Sequence, residues 1–143
     1  MRKFVGVGLV ALVVGGCNSS TGLDQLTFEG RHAIVTQSPL TIEGVVTVRN
    51  VGDKAVIVAA AKPCLMVLKA FLTPERSGEP AWQSPSPQAC TLEARSATIA
   101  PGDYYEYSIT TTVPTTLPYA TYYLSLSGAL GREVPAGQIQ LGS

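Results

Sequence analysis

Three cysteines and one histidine are the side chains of this 143-residue chain best suited to covalent or metal chemistry. Cys17 closes an apolar run, while Cys64 and Cys90 stand alone in the body of the sequence. A metal centre draws several sulfur or nitrogen ligands from short, regular spacings. Here His32 is the only histidine and no CxxC or HxxxH pattern exists, so no metal is expected. Nucleophilic catalysis needs a base held beside the nucleophile. His32 falls in a weak early segment with no acidic or serine partner in view, and reads as an edge-strand residue. Glu93, Asp103 and Glu106 could supply paired carboxylates, but no spacing puts two of them in one pocket. Asp103 is better explained as a turn residue whose carboxylate bonds nearby backbone N–H groups. No glycine loop of the phosphate-cradling kind is present. The expectation is a chain without a catalytic set and without a cofactor; a hydrolase built on His32 is the weakest of the readings carried forward.

Cys17 has the most informative surroundings. Arg2 and Lys3 precede the apolar core Phe4 to Val14, and the small residues Gly15 and Gly16 follow it. These are the three parts of an export signal. The core is too short for a membrane-spanning helix, which takes about 20 residues. Leu12-Val13-Val14-Gly15-Gly16-Cys17 resembles the lipobox of bacterial lipoproteins. The resemblance implies cleavage before Cys17 and a diacylglycerol on its thiol, hence a signal peptide at 1–16 and a lipidated, tethered segment at 17–25. A plain secretory signal that leaves Cys17 free is the alternative. Two or three acyl chains hold far more firmly than one, at about 0.8 kcal/mol per buried CH₂. Asn18 stands where an aspartate would favour inner-membrane retention, so the resemblance implies an outer membrane where one exists. The expected location is the cell envelope, periplasmic or surface-exposed.

The rest is one domain, 26–143. The leader takes two of the ten basic residues, leaving eight against ten acidic ones, a formal charge of −2. No basic patch stands out, so nucleic acid is not an expected partner. Charged residues are only 14% of the chain, and the composition favours strands and turns. In an exported domain, Cys64 and Cys90 are most simply a disulfide, worth roughly 3–4 kcal/mol on the chain-entropy model. Two reduced, buried thiols are the other reading.

Period-two alternation then runs almost the whole way. Asn18 to Asp24 is a polar tether. Leu26 to Glu29 is a first edge strand that Ala33 to Thr36 can continue, until Ser38-Pro39 breaks it. In Thr41 to Asn50, Ile42, Gly44, Val46 and Val48 share a face. Asn50 to Asp53 turns the chain into Ala55 to Ala61. Met66, Leu68 and Ala70 alternate in Cys64 to Leu72. The proline-rich stretch Thr73 to Gln88 cannot be a central strand, though Ala81 to Gln83 and Ala89 to Leu92 can be short extended pieces. Ala97 to Ile99 leads into the tight turn Ala100-Pro101-Gly102-Asp103. Tyr105, Tyr107, Ile109, Thr111 and Val113 form the apolar face of the next strand. Pro114 to Pro118 breaks it, Tyr122, Leu124 and Leu126 look inward in Tyr119 to Leu130, Gly128 to Gly131 turns the chain, and Val134 to Leu141 closes it. Seven or eight strands with regular turns and no helical period predict an all-β, immunoglobulin-like antiparallel β-sandwich.

From Val45 to Leu126 the order of parts resembles the BsuPI-type proteinase inhibitor domain. The matching parts are Val46-Thr47-Val48-Arg49-Asn50 with the Gly52 turn, Trp82 in the middle loop, Ile99-Ala100-Pro101-Gly102-Asp103 followed by Tyr105 and Tyr107, and Leu117-Pro118-Tyr119-Ala120-Thr121-Tyr122. Ala120 replaces a glycine of that pattern, and the Cys64/Cys90 pair is additional. The resemblance implies a sandwich and, as one possible activity, proteinase inhibition through the 73–88 loop. Trp82 is read either as a plug over the core or as an exposed recognition anchor. Tyr104 and Tyr123, if their strands are neighbours, make an aromatic patch; a stabilising cross-strand pair is the plainer reading. The leading expectation is a non-enzymatic, membrane-anchored binding or structural module of the bacterial envelope. Its partners would be the membrane, through the lipid, and a further protein or envelope component.

Overall fold

A computed structural model describes residues 22–59, 66–85 and 96–142. Over these residues the chain is an antiparallel β-sandwich. A short 3-10 turn, Leu23–Gln25, leads into nine strands: β1 (Leu26–Gln37), β2 (Leu40–Asn50), β3 (Val56–Ala59), β4 (Val67–Phe71), β5 (Trp82–Gln83), β6 (Ser96–Ile99), β7 (Tyr104–Thr112), β8 (Ala120–Ala129) and β9 (Arg132–Leu141). The expected count of seven or eight is exceeded because the middle loop contributes the two-residue β5.

One sheet has the order β1-β2-β7, the facing sheet β5-β4-β8-β9, and β3 with β6 forms a two-stranded ribbon. In chain order this is the A-B-E and C′-C-F-G arrangement of immunoglobulin-like sandwiches. The alternating faces meet in the middle: Ile42, Val46 and Val48 of β2, Tyr107 and Ile109 of β7, Leu68 and Ala70 of β4, and Tyr122, Leu124 and Leu126 of β8 are all buried. The inward-facing Gly44 lets Leu126 cross close to β2, since a methyl there would sit 2.6 Å from Leu126 Cδ2.

Two polar anchors hold the ends of this core. Asn50 is fully buried at the end of β2. Its Nδ2 donates to the carbonyls of Lys54 (2.7 Å) and Ile99 (2.9 Å), and its Oδ1 accepts from Gly52 N–H at 2.9 Å. Its backbone N–H donates to Asp103 O, and its carbonyl accepts from Gly102 N–H. One amide thus ties the β2–β3 turn to the Ala100–Asp103 turn, where Asp103 N–H reaches Ala100 O and Gly102 takes φ 81°. Proline second and a left-handed glycine third make that a type II turn. At the other end, the fully buried Tyr122 donates its hydroxyl to Pro118 O at 2.7 Å. This is a tyrosine corner, the device that fixes the loop entering the F strand of such sandwiches.

The β8–β9 hairpin turns through Leu130 (φ 51°) and Gly131 (φ 73°), both left-handed as a two-residue type I′ turn requires. Val134 and Ala136 face inward before Gly137, but Ile139 and Leu141 do so after it. A register shift between Tyr123 and Ser125, with Gly137 at φ 87°, moves the pattern by one residue. β1 closes the sandwich along β9. A side chain on Gly30 would strike the carbonyl of Pro135, and His32 Nδ1 lies 2.6 Å from Ala136 O.

Gly22 to Gln25, assigned above to the tether, pack onto the body. Val51 N–H donates to Gln25 O at 2.9 Å, and Lys54 N–H reaches Gln25 Oε1 at 3.3 Å. The end carrying this entry, the Asn50 turn and the β8–β9 hairpin is the proximal end. Residues 37–41, 112–119 and 141–142 make the distal end.

Candidate functional site

Two breaks in the alternation that lie far apart in sequence meet at the distal end. The Ser38-Pro39 turn starts β2 at Leu40, and Val113 N–H donates to Leu40 O at 2.9 Å, so the exit of β7 is fixed beside it. Thr36 and Thr41 hydroxyls both donate to Pro39 O, at 2.6 and 3.3 Å, which shapes this turn. From Val113 the chain crosses the end of the sandwich through Pro114 to Pro118. The tyrosine corner pins that crossing, and Gly142 packs against the Pro118 carbonyl with no room for a side chain. An open cleft of about 220 Å³ remains between these segments, lined by Leu40, Val113, Pro114, Thr115, Leu141 and Gly142.

The lining is aliphatic apart from the Thr115 hydroxyl and backbone groups, and none of the five side chains titrates. Such walls can bury an apolar group by shape and by excluding water. Exposed apolar residues continue the surface: Ile34 and Val35 at the end of β1, and Tyr119, which is 64% exposed. Among the described residues, no group of three histidine, cysteine or acidic side chains could hold a metal.

Of the residues singled out by sequence, Cys17, Cys64, Cys90 and Glu93 lie outside the described residues. His32 is half-buried on β1, where its ring N–H donates to Ala136 O and buttresses the β1–β9 closure. Trp82 is half-buried and packs against the core from the short strand β5, the placement of a plug. Next to it, Ser84 exchanges bonds with Leu68 through its N–H (2.8 Å) and its Oγ (2.9 Å), which fastens the end of the loop. The loop itself is clamped by Arg76, a non-glycine residue at φ 53°. Its guanidinium donates to Leu124 O at 2.8 Å, Pro74 O at 3.1 Å and Gly137 O at 3.1 Å, and stacks 5.7 Å from the Tyr123 ring centroid. The part of the loop around Arg76 therefore lies back over the outer face of its own sheet.

Tyr104 and Tyr123 are not brought together, because β7 and β8 belong to facing sheets. Tyr104 is exposed at the proximal end with Arg49 5.2 Å from its ring centroid, and Tyr123 is covered by Arg76. On the outer face of β1-β2-β7, Arg31 pairs with Glu106 at 2.9 Å, and Thr47 also donates to that carboxylate. The Arg31 hydrogen bond, with help from Thr47, holds the Glu106 carboxyl below its usual range against a smaller opposing effect of burial.

No protein-family model and no curated protein matches the chain. Among solved structures it is similar to a Northeast Structural Genomics Consortium target, SoR45, at 13% identity and a TM-score of 0.38, covering 85% of this chain and 89% of that one. It is also similar to a Bordetella pertussis structure bearing the name ApaA, at 20% identity and a TM-score of 0.39, covering 82% and 92% of the two chains.

Proposed function

We propose that the protein is an extracytoplasmic lipoprotein of the bacterial envelope, held by acyl chains on Cys17, whose sandwich is a non-enzymatic module that binds a partner through the distal cleft. The observation that supports this reading is the polarity of the molecule. The chain arrives from Cys17 at the proximal end, while the apolar, non-titrating cleft opens at the opposite end, where an anchored body is free to meet something else. Mass spectrometry of the mature N-terminus tests the anchor: a diacylglyceryl Cys17 is the expected first residue, and an unmodified chain in the cytosolic fraction overturns it. For the cleft, a photo-crosslinking residue at Thr115 should capture a discrete envelope component in intact cells that the same residue at the outer-face Ser108 does not. Equal labelling from both positions removes the binding role.

A second reading is proteinase inhibition through the 73–88 loop, which the resemblance to the BsuPI-type domain suggests and the exposure of residues 77–79 favours. Titration of the soluble domain against a panel of serine proteases tests it. Absence of inhibition at micromolar concentrations removes it.

A further inference from the structure

We infer that the proximal end is a membrane-docking surface, seated on the bilayer that carries the lipid rather than held clear of it; the inference rests on the lipoprotein reading above. Four of the exposed large apolar side chains cluster there: Leu23 (41% exposed), Val51 (61%), Ile57 (70%) and Tyr104 (53%). Bonds already described bring the segments that carry them to this end. Val51 N–H binds Gln25 O two residues from Leu23, and Asn50 binds both Gly102 and Asp103 beside Tyr104. Ile57 follows Val56, whose methyl lies 3.1 Å from where a Gly22 side chain would begin.

The length of the leash selects the bilayer as occupant. Only four residues separate Cys17 from Gly22. Five residue steps reach at most about 18 Å even when fully extended. The 11-residue β2 alone is about 36 Å long at the usual rise. The proximal end therefore stays within about 18 Å of the acylated sulfur in every orientation the leash allows. The local concentration of interface is then so high that weak contacts suffice. The side chains suit that boundary. Tyrosine prefers the headgroup layer, and Arg49, stacked on Tyr104, can lay its stem on apolar surface and its guanidinium among phosphates. Lys54 and Arg132 add two further cations, whereas Asp24, Asp53, Asp103 and Glu133 are exposed at the same end. Attachment is thus expected to depend on apolar insertion and to tolerate a zwitterionic surface.

The test uses the full acylated protein on phosphatidylcholine vesicles with acyl chains brominated near the carbonyl. Flotation reads the anchor separately from the docking. Val51→Trp should be quenched about twofold or more, while Val35→Trp at the distal end should behave like the native protein with Trp82 alone. Hydrogen exchange of the unmutated protein gives a second readout: amides of 49–57 and 102–106 should slow on vesicles relative to the soluble domain. Flotation with no difference between the two tryptophan variants, or protection that arises equally without vesicles, overturns the docking and leaves the anchor standing. Failure to float with unmodified Cys17 overturns both.

Discussion

Asn50 looks like a turn residue in the sequence and turns out to be a structural keystone. Its side chain is fully buried and makes three hydrogen bonds. Asn50→Ala would leave the Ile99 carbonyl without its partner in a buried site, and the part-buried Lys54 carbonyl and Gly52 N–H without theirs. Unsatisfied buried groups cost about 1–3 kcal/mol each, and partial relaxation brings the expected loss to roughly 2–4 kcal/mol. Urea unfolding of the soluble domain measures it as a lower midpoint. Tyr122→Phe removes the corner bond to Pro118 and keeps the ring, so a loss of about 1–2 kcal/mol with unchanged m is expected. Tyr107 offers a pH signature. Burial, with a smaller contribution from Tyr105, pushes its phenol up to about 12. An unfolded phenol ionises near about 10. Between these values the unfolded chain gives up a proton that the native one keeps, so stability is full below the lower value and falls as pH rises through the upper one. Tyr107→Phe should flatten that alkaline slope in unfolding curves taken from pH 9 to 12.

The elements were largely written in the alternation. Ile42 through Val48, Met66 through Ala70, Tyr105 through Val113 and Tyr122 through Leu126 each face as their period-two pattern demands, because burying one face of a pleated strand leaves little choice. Outward positions follow the rule less well. Val45 and Ser125 are both buried, and Ser125 is covered where its hydroxyl donates to Glu133 Oε1 at 3.1 Å. The shift at Gly137 was also hidden, since an extra residue in one strand has no marker beyond an isolated glycine. Gly30 is the clearest test of how elements meet. Gly30→Ala would drive a methyl into the Pro135 carbonyl, backbone that has no rotamer to yield. The expected cost is about 1–3 kcal/mol, read by urea unfolding, with faster exchange of β1 amides.

At the scale of the whole molecule, the two ends differ in what the sequence could reveal. The proximal end is built from local turn signals, Asn50-Val51-Gly52-Asp53 and Ala100-Pro101-Gly102-Asp103, which are legible residue by residue. The distal cleft gathers Leu40, Val113, Pro114, Thr115 and Leu141 from three parts of the chain. Its only written trace is a pair of proline breaks, Pro39 and Pro114, and their meeting follows from strand pairing rather than from either motif. If the cleft is a recognition surface, Thr115→Arg should abolish crosslinking from a photoreactive residue placed at the neighbouring, exposed Tyr119 without lowering the unfolding midpoint, since residue 115 is solvent-exposed.

The pairing of β1 with β2, from Leu26 opposite Asn50 to Gln37 opposite Leu40, has a mechanical corollary. A pull entering through residue 22 runs parallel to β1 and loads its cross-strand bonds side by side, like a lap joint, instead of opening them one after another as a zipper. A body tugged at one tip while gripped at the other would resist along its strongest axis. Forced extension from Gly22 against Thr115 should therefore need a larger rupture force than extension from Gly22 against Val51, which parts Leu26 from Asn50 first and peels the same joint one pair at a time.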